Sequence, residues 1–125
     1  MEISLAEVWA QNPPASASNQ TLQEYMAKAP FWSLCYDYYH LYNEFQEVYN
    51  ALFGKEPFVE ASPRFRWEAG ARVNEDDYVG CLTRIEVFRA WFTENVMETG
   101  EDTSAAVMVL PYGISGPKYR DVPAE

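Results

Sequence analysis

Phe31, Leu34, Tyr38, Leu41, Phe45, Val48 and Leu52 recur at alternating spacings of three and four residues. A β-strand cannot place that spacing on one face, whereas an α-helix lines it along a single side. Pro30 opens the segment where a missing amide is harmless, and Gly54 closes it. The spacing predicts a helix over 31–53, about 35 Å long at 1.5 Å per residue. Asp37, His40, Asn43, Glu44, Glu47 and Asn50 form its polar side. Tyr78, Cys81, Leu82, Ile85, Phe88, Phe92 and Val96 make a second stripe with Trp91 flanking it, and this predicts a helix over 75–97. Asn74 and the acidic run Glu75-Asp76-Asp77 mark its start, because a capping side chain and negative charge both favour the positive end of the helix dipole. The two apolar stripes are expected to pack on each other, antiparallel or steeply crossed.

Shorter elements surround these. Ser4 with Glu7 and Thr21 with Glu24 match the capping box that satisfies free amides at a helix start. The first short helix stops at Asn12-Pro13-Pro14, 15–20 reads as a connector, and the second helix spans 22–28. The stretch 55–63 holds two prolines and reads as loop, and a turn of helix follows around 65–72. Near the end, Ala105-Ala106-Val107-Met108-Val109-Leu110 is a continuous apolar run, as in a strand buried on both faces. One strand cannot satisfy its own backbone, so it is expected to pair with a second copy or a partner protein, or to lie over the helices. The expected fold is therefore mainly α, about four helices around two long ones, with one C-terminal strand at 105–110 paired between chains. Residues 1–125 are read as one small domain with a loop-rich tail at 111–125.

Length and charge narrow the partners. A chain of 125 residues can bury one core without disulfides or metal. Nineteen acidic against nine basic residues give a net charge of -10, which opposes binding to nucleic acid or to an anionic membrane surface. The acidic start, Met-Glu-Ile-Ser-Leu-Ala-Glu, lacks the pattern of a signal peptide, and no apolar run approaches the roughly 20 residues of a membrane span. A cytoplasmic protein is expected. Cys35 and Cys81 lie too far apart for a metal knuckle or redox pair, and each falls on a helical segment, so both read as buried free thiols.

Several segments together resemble one region of the fungal branch of the amidase-signature family. They are Leu5-Ala6-Glu7-Val8-Trp9, Tyr36-Asp37-Tyr38-Tyr39-His40 with Tyr42, and Arg64-Phe65-Arg66-Trp67-Glu68. They continue through Arg84-Ile85-Glu86-Val87-Phe88-Arg89-Ala90-Trp91-Phe92 to Val107-Met108-Val109-Leu110-Pro111-Tyr112-Gly113 and Pro117-Lys118-Tyr119-Arg120-Asp121. The family's Ser–Ser–Lys catalytic segment has no counterpart: Ala15-Ser16-Ala17-Ser18 lacks the glycines, and Lys28, Lys55 and Lys118 lie in other contexts. The resemblance thus implies a helical insertion with its returning strand, taken from a longer protein or encoded alone, and no amidase activity.

The remaining candidates come from the residues themselves. His40 is the only histidine, hence the one side chain with a reference pKa near neutrality, and Asp37 one turn before it would orient the ring for proton transfer. Tyr36, Tyr39, Trp67, Arg84 and Trp91 are the candidate contacts to a hydrophobic or aromatic small molecule. The plain alternatives are a solvated polar face for His40 and a core or interface for the rings. Asp37-x-x-His40 is not repeated on a second helix, so no metal and no cofactor is expected. Two functions follow: a small-molecule protein using non-hydrolytic acid–base chemistry, or a non-catalytic interaction or dimerisation domain.

Overall fold

The computed structural model describes residues 3–17, 19–97 and 108–109. Among them the chain is helical: α1 Leu5–Gln11, a 3-10 turn Ala15–Ala17, α2 Leu22–Met26, α3 Ala29–Phe53, α4 Ala61–Gly70 and α5 Glu75–Asn95. No described helix is long and apolar enough to cross a membrane. The expected strand at 105–110 lies outside the described residues except for Met108 and Val109, which are exposed, and so does the expected tail at 111–125. The contacts divide the chain into two units. One holds the described residues up to Pro30 and those from Gly80 on, and the other holds Phe31–Val79.

In the first unit the capping chemistry sets the short helices. Ser4 Oγ accepts the Glu7 amide at 3.4 Å, a single cap. Thr21 forms the full reciprocal box: its hydroxyl accepts the Glu24 amide at 3.2 Å, and its own amide donates to Glu24 Oε2 at 2.8 Å. α2 nevertheless ends at Met26, earlier than the expected 28, because α3 begins at Ala29 and Pro30 falls in its first turn, where free amides are the rule. Trp9, Ala17, Tyr25 and Trp91 form the core, with Val8, Leu22, Met26, Val87, Phe88, Phe92 and Val96 packed around it. Trp9 meets Trp91 edge-on at 4.8 Å and Tyr25 at 5.4 Å. Both buried indoles find acceptors across the chain, Trp9 Nε1 donating to the Gln20 carbonyl and Trp91 Nε1 to the Asn12 carbonyl.

The donors at Thr21 hold the Glu24 carboxyl below its ordinary pKa. A lowered folded-state value means the contact stabilises above the unfolded carboxyl pKa and is lost as pH falls through the folded one. Hydrogen exchange on α2 is therefore expected to accelerate as pH drops below about 4.5, after correction for intrinsic exchange. Glu24→Gln should remove that acid dependence. Protection that falls equally in the Gln variant would place its origin elsewhere.

In the second unit, α4 lies on α3. Gly70, at the end of α4, comes so close that a Cβ there would meet the Cys35 carbonyl and the Tyr39 side chain. Phe31 and Phe65 rings are 6.0 Å apart, and Trp67 lies 6.3 Å from both Tyr38 and Tyr42. α4 starts at Ala61, four residues before the expected 65, because Pro63 sits in its first turn and breaks no hydrogen bond there. Asn74 caps α5 through its Oδ1, which accepts the Asp77 amide at 2.8 Å. Gly54, at φ +64, takes the left-handed conformation that ends α3. Cys35 and Cys81 are both buried and outside any disulfide, and burial pushes the Cys35 thiol pKa up.

One difference from the sequence reading matters most. The stripe on α3 that reads as core is not covered by described residues: Phe31, Leu34, Leu41, Phe45, Val48 and Leu52 are all exposed. α3 instead buries Ala29, Ser33 and Cys35 near its start, and from Leu41 to its end no residue is buried.

Candidate functional site

The seven side chains expected to act together separate into distinct settings. Tyr36, Asp37, Tyr39, His40 and Trp67 belong to the second unit, whereas Arg84 and Trp91 belong to the first. Arg84 Nη1 donates to the Tyr25 carbonyl at 2.9 Å, and its guanidinium lies over the Tyr25 ring at 5.2 Å. Trp91 is buried in the core. Both therefore have structural work that accounts for their place in the sequence.

Around His40 the geometry is one of stacked rings. The exposed imidazole sits 4.2 Å from the Tyr36 ring and meets Tyr39 edge-on at 5.2 Å. Tyr36 in turn stacks on Tyr78 at 4.1 Å with planes 16° apart. The Tyr78 hydroxyl donates to the Asp37 carboxylate, and that hydrogen bond, with some desolvation and the Asp37 charge, raises the Tyr78 pKa above its usual value. Tyr78 thus stays a protonated donor. The partnership of Asp37 with Tyr78 was not evident from spacing, since Tyr78 reads as the first member of the α5 apolar stripe. Its signal is an amphipathic ring at the very start of a helix.

Tyr39 and Trp67 do come together. They line a cavity of about 420 Å³ with Gln46, Arg64 and Glu68 among its other walls. Arg64 is already engaged, Nη2 donating to the Val59 carbonyl at 3.1 Å. The Trp67 Nε1 is buried with no acceptor among the described residues. No group of three metal-ligating side chains occurs among the described residues.

A row of exposed apolar side chains lies elsewhere on α3. Leu41 and Leu52 are 72% exposed, and Leu34, Phe45 and Val48 are 51% exposed. Their spacing places them on one side of the helix. Leu41, Phe45, Val48 and Leu52, with Glu44 and Tyr49 beside them, line a shallow groove of about 480 Å³. Asp37 and Glu44 run along one edge of this row, each three or four residues from its apolar members. Tyr38, Tyr42 and Tyr49 form the other edge, Tyr49 contacting Phe45 at 5.9 Å and Phe53 at 4.6 Å.

No family model, curated protein or solved structure matches this chain. The site has to be judged on its own chemistry. That chemistry offers an apolar row on a regular helix, an exposed imidazole among tyrosines, and a partly polar cavity walled by Tyr39 and Trp67.

Proposed function

We propose that this chain is a non-catalytic interaction domain, and that it meets another protein chain through the apolar row on α3. The observation that carries this reading is the exposure of Leu41, Phe45, Val48 and Leu52 on one side of a helix whose second half buries nothing. Rows of this kind on soluble domains mark protein contacts, because uncovered apolar area gains roughly 25 cal/mol per Å² on burial. A helix of this length also draws its stability mainly from packing of its apolar face. The resemblance to a helical region of amidase-signature enzymes fits the reading, since it implies no catalytic residue. The acid–base alternative draws less support: Asp37 takes the Tyr78 hydroxyl rather than orienting His40, and His40 meets rings at an exposed position.

The test is a paired measurement on Leu41→Gln/Phe45→Gln. These side chains pack little, so the unfolding free energy should stay within about 0.5 kcal/mol of the parent. Self-association measured by light scattering, or capture of amphipathic helical peptides measured by fluorescence anisotropy, should occur for the parent and vanish for the variant. If neither depends on the two residues, the interaction reading is wrong.

A further inference from the structure

We infer that the α3 row receives an amphipathic helix that carries lysine or arginine along one edge of its own apolar face. This rests on the interaction reading above and adds the chemistry of the partner. The row from Leu41 to Leu52 is about 17 Å long at 1.5 Å per residue, three helical turns. Its anchors fall at steps of four, three and four, the spacing at which one helix seats against another. Among the described residues, the groove beside them is lined by α3 alone.

Charge selects among the possible helices. α3 contains Asp37, Glu44 and Glu47 and neither lysine nor arginine. Asp37 and Glu44 lie beside the row and are exposed, whereas Glu47 lies farther round the helix and accepts from Asn43 Nδ2 at 2.9 Å. Charges in such flanking positions set partner choice and orientation in paired helices. A second copy of this chain is a poor match: in an antiparallel pair the acidic edges face each other, and each copy carries a net charge of -10. The chain's own last residues are a poor match too. Glu98, Glu101 and Asp102 precede the apolar run at 105–110, and the nearest cations, Lys118 and Arg120, come only after Pro111 and Pro117. A helix from another protein, apolar along its ridge and basic along one edge, satisfies both the row and its acidic border.

The experiment uses the full chain and three synthetic helical peptides with one leucine ridge and Lys, Gln or Glu along one edge. Binding is read by fluorescence anisotropy at low and high salt. The Lys peptide is expected to bind about tenfold tighter than the Gln peptide at low salt, and the Glu peptide more weakly still. The advantage should shrink at high salt and fall several-fold in Glu44→Gln/Glu47→Gln. Leu41→Gln/Phe45→Gln should lose all three peptides, which separates docking from simple attraction to an acidic protein. Equal binding of Lys and Gln peptides, or a Lys preference that survives Glu44→Gln/Glu47→Gln, overturns the basic partner and leaves the interaction reading standing. A dimer that depends on Leu41 and Phe45 and excludes the peptides does the same. Absence of both peptide binding and row-dependent self-association overturns both.

Discussion

Trp9→Ala is expected to lower the unfolding free energy by about 4 kcal/mol, a large share of the roughly 5–15 kcal/mol a domain of this kind has. Trp9 is 1% exposed and sits between Tyr25, Phe88 and Trp91, with ring centroids 5.4, 6.5 and 4.8 Å away. Truncation removes one of the two indoles of that cluster and leaves a cavity whose walls are other rings, which cannot collapse inward without abandoning their own contacts. It also strands the Gln20 carbonyl, which accepts the indole N–H at 3.0 Å. Trp9→Phe should lose less, because a ring still fills most of the space and the missing hydrogen bond is the main change. Urea titrations followed by circular dichroism measure both variants, and an unchanged slope confines the effect to stability. A loss below about 1 kcal/mol for the alanine variant would show that the cluster repacks around the gap.

How much of this was legible in the sequence depends on which forces were local. Helix starts were readable at Ser4, Thr21 and Asn74 because a cap acts within three residues of itself. Gly54 as the stop of α3 was readable for the same reason. α4 was placed too late since Pro63 reads as a breaker unless its position in the first turn is known. The deeper miss concerns the α3 stripe. Periodicity shows that one side of a helix is apolar, and it is silent on whether the chain's own residues or another molecule covers that side. α3 packs inside its unit through Phe31, Cys35, Tyr38, Tyr39 and Tyr42, a second face at helical spacing beside the apolar row. Among the candidate site residues, spacing correctly grouped Tyr36, Asp37 and His40 on one helix, and the structure brings Tyr39 and Trp67 to one cavity. It had no means of showing that Asp37 meets Tyr78, or that Arg84 is spent on the Tyr25 carbonyl, since both partners are far away in the chain.

Gly70 gives the second large effect, and here two principles predict opposite signs. Alanine in place of a helical glycine is ordinarily worth up to about 1 kcal/mol of added helix stability. At Gly70 the new Cβ would overlap the Cys35 carbonyl oxygen and lie 2.7 Å from both the Cys35 carbonyl carbon and the Tyr39 Cβ. Two of those three atoms are α3 backbone, which no rotamer change can move aside. α4 must therefore lift away from α3, weakening the Phe31–Phe65 contact and the approach of Trp67 to Tyr38 and Tyr42. Overpacking of this kind costs about 1–3 kcal/mol, and the rigidity of the opposing atoms puts Gly70→Ala near the upper end, well beyond what propensity returns. Gly54 is the informative contrast: it needs its positive φ yet has open space around its missing side chain, so its requirement is conformational where that of Gly70 is steric. Chemical denaturation of Gly70→Ala decides between the two signs. A variant as stable as the parent would mean that α4 does not seat on α3 at Cys35.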